Sequence, residues 1–253
     1  MNTGPREWDA QTYDKVSDPQ YSWGLEVLDR LELNGDESVM DAGCGSGRVT
    51  AKLLERLPEG HVLCVDASES MIEKAREALG DRADYLVADL STLEIPEPVD
   101  VIFSTATFHW VPDHDVLFSR LHDALKPGGR LVAQCGGEGN VAKHAQAIVS
   151  VATRPEFADH FQNMSIMWNF ATPEETEERL RRAGFDQVRC WLEDKPVQPE
   201  DPYAFTTTVT LGPHLGRLPE EKRRAFAEAV LEAENDPLVL NYVRLNIEAH
   251  RAG

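Results

Sequence analysis

The stretch Val39-Met40-Asp41-Ala42-Gly43-Cys44-Gly45-Ser46-Gly47 decides the fold. Residues 38–43 read as a short apolar strand, and residues 47–57 carry apolar side chains at helical spacing, so three alternating glycines stand where a strand turns into a helix. Glycine takes backbone dihedrals that other residues avoid and lets the chain pass close to a ligand. The first turn of the next helix adds unpaired N–H groups.

Outward from this turn, strand-like runs alternate with helix-like segments, the pattern of a parallel sheet covered on both faces. Residues 61–68 form a second strand, 68–79 a helix capped by Ser68 or Ser70, 83–90 a third strand and 99–107 a fourth. A helix over 115–125 stops at Lys126-Pro127-Gly128-Gly129, a turn into a fifth strand over 129–137. Further on come a helix over 172–184, a strand over 185–194, a helix from about 219 to 234 and a closing strand over 240–251. In that last strand Tyr242, Arg244 and Asn246 alternate with Val243, Leu245 and Ile247. No internal repeat or long linker divides the chain. The expectation is one α/β domain over residues 1–253, with a Rossmann-like core at about 34–137, 184–194 and 241–251 and a helical cap at about 1–30, 139–172 and 196–235.

Composition narrows the function. Of 253 residues, 25 are Lys or Arg and 44 are Asp or Glu, a net charge of −19, which argues against a general nucleic-acid binder because such binding needs clustered cations. With 42% hydrophobic residues the chain can bury a large core. No run approaches the roughly 20 apolar residues that cross a bilayer, and the start lacks a basic or apolar leader, so a cytoplasmic protein without a membrane partner is expected. Cys44, Cys64, Cys135 and Cys190 stand far apart in no ligand spacing. They read as reduced structural thiols, with no metal site. The oligomeric state, monomer or homodimer, leaves no trace in the residues.

Two acids give the glycine turn its meaning. Asp66 ends the second strand 19 residues after Gly47, close to the spacing at which a carboxylate meets ribose hydroxyls, and Asp89-Leu90 end the third, where a carboxylate can accept from an adenine amino group. Each Asp could alone be a helix cap. Together with the glycines they favour an adenosine ligand. The spacing GxGxG differs from the GxGxxG of dinucleotide binding, and Asp41, two residues before the first glycine, would repel a diphosphate while suiting an amino group or a cationic centre. That points away from a nicotinamide-dependent oxidoreductase.

These residues resemble the class I S-adenosylmethionine-dependent methyltransferases. The matching motifs are DAGCGSG at 41–47, VDAS at 65–68, VADL at 87–90, VIFSTATFHWV at 101–111 and LKPGGRL at 125–131. Within the family, the run from Ala106 through Trp110 to His114 and the closing strand look most like trans-aconitate methyltransferases and related small-molecule carboxyl methyltransferases. The resemblance implies a seven-stranded sheet with an antiparallel last strand. It also implies S-adenosylmethionine as cofactor and S-adenosylhomocysteine as product. Position by position, it implies that the backbone of Gly43, Cys44, Gly45 and Gly47 approaches the methionine part near Asp41 and that Asp66, with Ala67 and Met71 beside it, takes the ribose. Asp89 and Leu90 would meet the adenine, Ser104 and Thr105 the amino group. Tyr13 and the Gln20 to Trp23 region match an N-terminal helix that covers the cofactor.

Methyl transfer is an in-line displacement, so the protein need only align donor and acceptor and exclude water. A carboxylate acceptor needs no base. Another oxygen, nitrogen or carbon acceptor would need one, and His109, just past the fourth strand, is the candidate. Pocket walls are expected from the aromatics near the N-terminus and at 157–170, with Gln20, Trp23, His109, Trp110 and Trp168 as contacts to a small-molecule acceptor. An acidic acceptor would want a cation, and Lys143, His144, Arg154, His160 and Arg244 are the candidates. A non-catalytic module that binds the cofactor as a sensor or partner subunit would share nearly all of these residues.

Overall fold

The computed structural model describes residues 18–162, 164, 168–234 and 237–253. Helix α1 (Asp18–Leu28) leads into β1 (Ser38–Ala42), α2 (Arg48–Glu55), β2 (His61–Asp66), α3 (Glu69–Leu79), β3 (Asp84–Val87) and β4 (Val99–Thr105). Then follow α4 (His114–Ala124), β5 (Leu125–Gly136), α5 (Ala142–Ala152), α6 (Pro173–Arg182), β6 (Phe185–Val197), α7 (Glu220–Glu232) and β7 (Leu240–Arg251). The caps are the ones the local sequence supplies. Ser68 Oγ accepts from Met71 N–H at the start of α3, Asp113 from Asp115 and Val116 at the start of α4, and Thr172 from Glu175 at the start of α6. Acids in the first turn of α6 and arginines in its last turn complement the helix dipole.

Strand order is β3-β2-β1-β4-β5-β7-β6. β1 to β5 run parallel, and β7 lies antiparallel between β5 and β6. Because the chain moves from β1 outward through β2 to β3 and then crosses to β4 on the other side, a crevice opens at the carboxyl ends of β1 and β4. Alternate strand residues feed two apolar layers. Met40, Ile102 and Leu131 pack with Leu117, Phe118 and Leu121 on one face, while Val39, Val101 and Phe103 pack with Val27, Leu28 and Leu53 on the other.

The architecture is the expected one, with local corrections. The third strand ends at Val87, so Asp89 stands beyond it as the cap of the turn Leu90–Thr92. Lys126 to Gly129 form a bulge inside β5, for Val99 pairs with Leu125 while Val101 already pairs with Arg130. On β7 the alternating Tyr242, Arg244 and Asn246 are all buried. Phe157 and Phe161 pack on Phe226 of α7 together with Ile148 and Val151 of α5. No described helix is long and apolar enough to cross a membrane, and the four cysteines are free thiols.

Candidate active site

The glycine turn is hooked onto the end of β2. Gly43 and Cys44 both donate their N–H to the carbonyl of Val65, at 2.7 and 3.0 Å, and Gly47 donates to Cys44. Gly43 has φ +85°, and a Cβ there would meet the Thr107 side chain at 2.0 to 2.6 Å, so only glycine fits. A Cβ on Gly45 would meet nothing within 4 Å, which leaves that side of the loop open to a ligand.

Three carboxylates line up along neighbouring strand ends. Asp41 on β1 is buried and accepts from Thr50 Oγ1 of α2 at 2.7 Å. Burial pushes its pKa up to about 7; the Thr50 bond opposes this and the like charge of Asp66 adds to it. Asp66 accepts from Gly45 N–H at 3.0 Å and from Ser68 N–H at 2.9 Å, tying the glycine turn to the start of α3. Ala67 follows it, and Met71 is buried in the first turn of α3. Asp89 is drawn alongside because Ala88 donates to the carbonyl of Asp66, and its exposed carboxylate accepts from Ser91, while Leu90 is buried.

At the end of β4, buried Ser104 donates its hydroxyl to Ala42 O at 2.6 Å, locking β4 to β1. The Thr105 carbonyl accepts from Thr107 Oγ1 at 2.9 Å. Between them Ala106 holds φ +55°, a strained value for a residue with a Cβ. His109 is buried, and its Nδ1 accepts from Gly136 N–H at 3.2 Å. In the neutral ring the proton therefore sits on Nε2. Burial, then the charges of Arg244 and His114, hold its pKa well below the usual histidine range. His109, Trp110, Trp168 and Phe170 close a four-ring cycle with centroid separations of 5.2, 5.8, 5.5 and 5.7 Å. The segment is pinned by Asn169, which donates to His109 O and Pro112 O.

Helix α1 lies across these strand ends. Tyr21 stacks under Arg48 at 4.6 Å, and Gly24 abuts Val49 and Thr105. Trp23 meets Tyr242 edge-on at 5.2 Å and lies 5.1 Å from the Arg244 guanidinium, buried with Val141, Phe205 and Leu240. Its ring is committed to packing. Gln20 stands in the first turn of α1, with its Oε1 buried and without a hydrogen-bond partner. Tyr13 lies outside the described residues.

A model described as a methyltransferase domain matches residues 39–129. The chain is 40% identical over 127 residues to a trans-aconitate 2-methyltransferase of Azoarcus, covering 50% of this chain and 50% of that protein. It is 32% identical over 186 residues to a trans-aconitate 2-methyltransferase of Methylobacterium nodulans, covering 74% of this chain and 67% of that protein. The chain belongs to the S-adenosylmethionine-dependent methyltransferases. The chain spans about half the length of several of the curated relatives it matches. Its fold is also that of the phosphoethanolamine N-methyltransferase 2 of Haemonchus contortus, a structure with S-adenosylhomocysteine bound, at a TM-score of 0.61, 19% identity, and coverage of 96% of this chain and 57% of that one.

The residues of this site fit S-adenosylmethionine. A buried carboxylate beside a second one favours a cationic ligand, the open side of Gly45 leaves room for it, and the buried, unpartnered Gln20 Oε1 calls for a donor. Several contributors to the site carry no signal in the sequence. Thr50 and Thr107 are ordinary helix and loop threonines by sequence, and only folding sets one against Asp41 and the other against Gly43. Phe170 and Asn169 carry no motif. Of the cations considered, exposed Lys143 and half-buried Arg154 and His160 stand apart from Arg244, which is buried beside Trp23. His144 is bonded to Glu234 and Thr210.

Proposed function

We propose that the protein methylates a small molecule on an oxygen of a carboxylate. The observation that carries this reading is the bond from Gly136 N–H to His109 Nδ1, which makes His109 a neutral donor with its basic nitrogen occupied. An acceptor that must lose a proton is poorly served there. A carboxylate, already ionised, needs no base. The names of the relatives, trans-aconitate 2-methyltransferases, agree with a carboxylic acid acceptor.

Bound S-adenosylmethionine supplies a methyl group already activated by its sulfonium, and displacement by the acceptor oxygen leaves S-adenosylhomocysteine. Asp66 is the residue to hold the ribose hydroxyls, Asp89 and Leu90 the adenine, and the backbone of Gly43, Cys44, Gly45 and Gly47 the methionine part, with Asp41 answering positive charge. The Ser104–Thr105 backbone and Gln20 Oε1 offer acceptors for an amino group. Trp110, Trp168 and Phe170 keep water from the reacting centre, which favours a step in which an anion and a cation neutralise each other. His109 Nε2–H donates to the acceptor and orients it. The test is release of S-adenosylhomocysteine on addition of carboxylic acids, with the ester identified by mass spectrometry. Release with phenols or amines but with no acid would overturn the reading.

A further inference from the structure

Among the described residues Arg244 is the one lysine or arginine that is buried, at 3% exposure. We infer that its guanidinium holds an anionic group of the methyl acceptor, separate from the oxygen that takes the methyl group. The inference rests on the carboxylate reading above and adds the residue that selects the acceptor.

The position of Arg244 is built by a chain of side chains. Arg30 Nη1 donates to Asn246 Oδ1 at 2.7 Å, and Gln134 Nε2 donates to the same oxygen at 2.9 Å. That turns the Gln134 carbonyl toward Arg244, whose Nε donates to it at 3.4 Å. Trp23 covers the guanidinium plane. In the β5–β7 register Arg244 stands opposite Gly136, the residue bonded to His109. Where a side chain on Gly136 would be, the edge of Phe170 lies 2.6 Å from the Cβ position, so the four-ring cycle is drawn to this pair.

The chemistry on this side is one of donors. The charge of Arg244 acts on His109, whose proton sits on Nε2, and in the ring cycle that holds His109 the Trp168 Nε1 is buried and without a partner. The guanidinium fork matches a carboxylate, and the neutral donor of His109 suits the same acceptor-rich group. Across the crevice the order of signs reverses. Asp41, Asp66 and Asp89 stand at the ends of β1, β2 and beyond β3, while Arg244 stands on β7, on the other side of β4 and β5. A cationic methyl donor is drawn to the acid side, and an anionic acceptor to the arginine side. Binding is thereby ordered by charge.

The test is kinetics of Arg244→Gln and Arg244→Lys with dicarboxylic and tricarboxylic acids and their monoamides, beside calorimetry of S-adenosylhomocysteine. Losing one partner of a buried charged pair predicts a rise in KM of about 30-fold or more in Arg244→Gln, a smaller rise in Arg244→Lys, and little change in kcat or S-adenosylhomocysteine affinity. A KM within about threefold of the parent, with S-adenosylhomocysteine binding intact, overturns the assignment. Should Arg244→Gln not fold, the unaltered protein saturated with S-adenosylhomocysteine decides it. Binding of tricarballylate without binding of its triamide supports the inference, and equal binding of both overturns it. Methylation of acids with an unchanged KM in Arg244→Gln overturns the role of Arg244 alone. Methylation of neutral acceptors only overturns the carboxylate reading as well.

Discussion

The main-chain N–H of Gly136 donates to Nδ1 of His109 at 3.2 Å. The bond fixes the tautomer, and burial keeps the ring neutral. With a carboxylate acceptor, kcat should therefore show no limb from His109 between about pH 6 and 8. His109→Ala should keep activity within roughly tenfold, since no general base is removed. A limb near the ordinary histidine pKa that disappears in His109→Ala would instead make His109 the base and point to a different acceptor.

Asp41 titrates at about 7 in the folded chain, raised first by burial, against 3.8 as a free side chain. Between those values the folded protein holds a proton that the unfolded chain has lost, so this group's contribution to stability declines as pH rises from about 4 to about 7. The full effect is up to about 4 kcal/mol by linkage. Asp41→Asn should flatten that slope in chemical denaturation. A cation placed beside Asp41 reverses the shift, so S-adenosylmethionine binding near pH 7 should release a proton. Calorimetry in buffers of different ionisation enthalpy measures it, and equal heats in the parent and in Asp41→Asn would refute the placement of positive charge there.

Asp66→Ala should weaken S-adenosylhomocysteine binding by more than about 1 kcal/mol, the scale of a lost charge-assisted hydrogen-bond pair. It also removes the acceptor that ties Gly45 to Ser68, so the melting temperature should fall even without ligand. An unchanged dissociation constant by calorimetry would remove Asp66 from the ribose role.

Gly43→Ala places a methyl 2.0 Å from Thr107 Oγ1 at a φ of +85°. The expected result is loss of cofactor binding with a destabilisation of about 1–3 kcal/mol, typical of overpacking. Adding Thr107→Gly should restore part of the stability by removing the clash while leaving the strain of the dihedral. A double variant no more stable than Gly43→Ala would show that the dihedral alone is responsible.

Much of the fold was legible because each unit announces itself locally. The alternation of apolar runs with helical spacing gave the parallel strands and their helices, and cap residues such as Ser68 and Thr172 stand where the helices begin. The error at Asp89 has a plain cause: the apolar run continues past Val87, while pairing with β2 stops there and the chain turns. The alternation in β7 marks a strand, and its central residues are buried on both faces because a strand between two others under helices has no wet side.

The sequence by itself determined the order of elements, the glycine turn and the acids at the ends of β1 and β2 and beyond β3, since these depend on neighbours a few residues away. Only the tertiary structure decided which polar side chains act together. Thr50 reaches Asp41, Gly136 occupies a nitrogen of His109, and Gln134 and Asn246 position Arg244 across more than a hundred residues of chain. Such pairs leave no periodicity to read, because what selects them is strand order and register, and a buried polar group accepts whatever partner the packed sheet brings within hydrogen-bond reach.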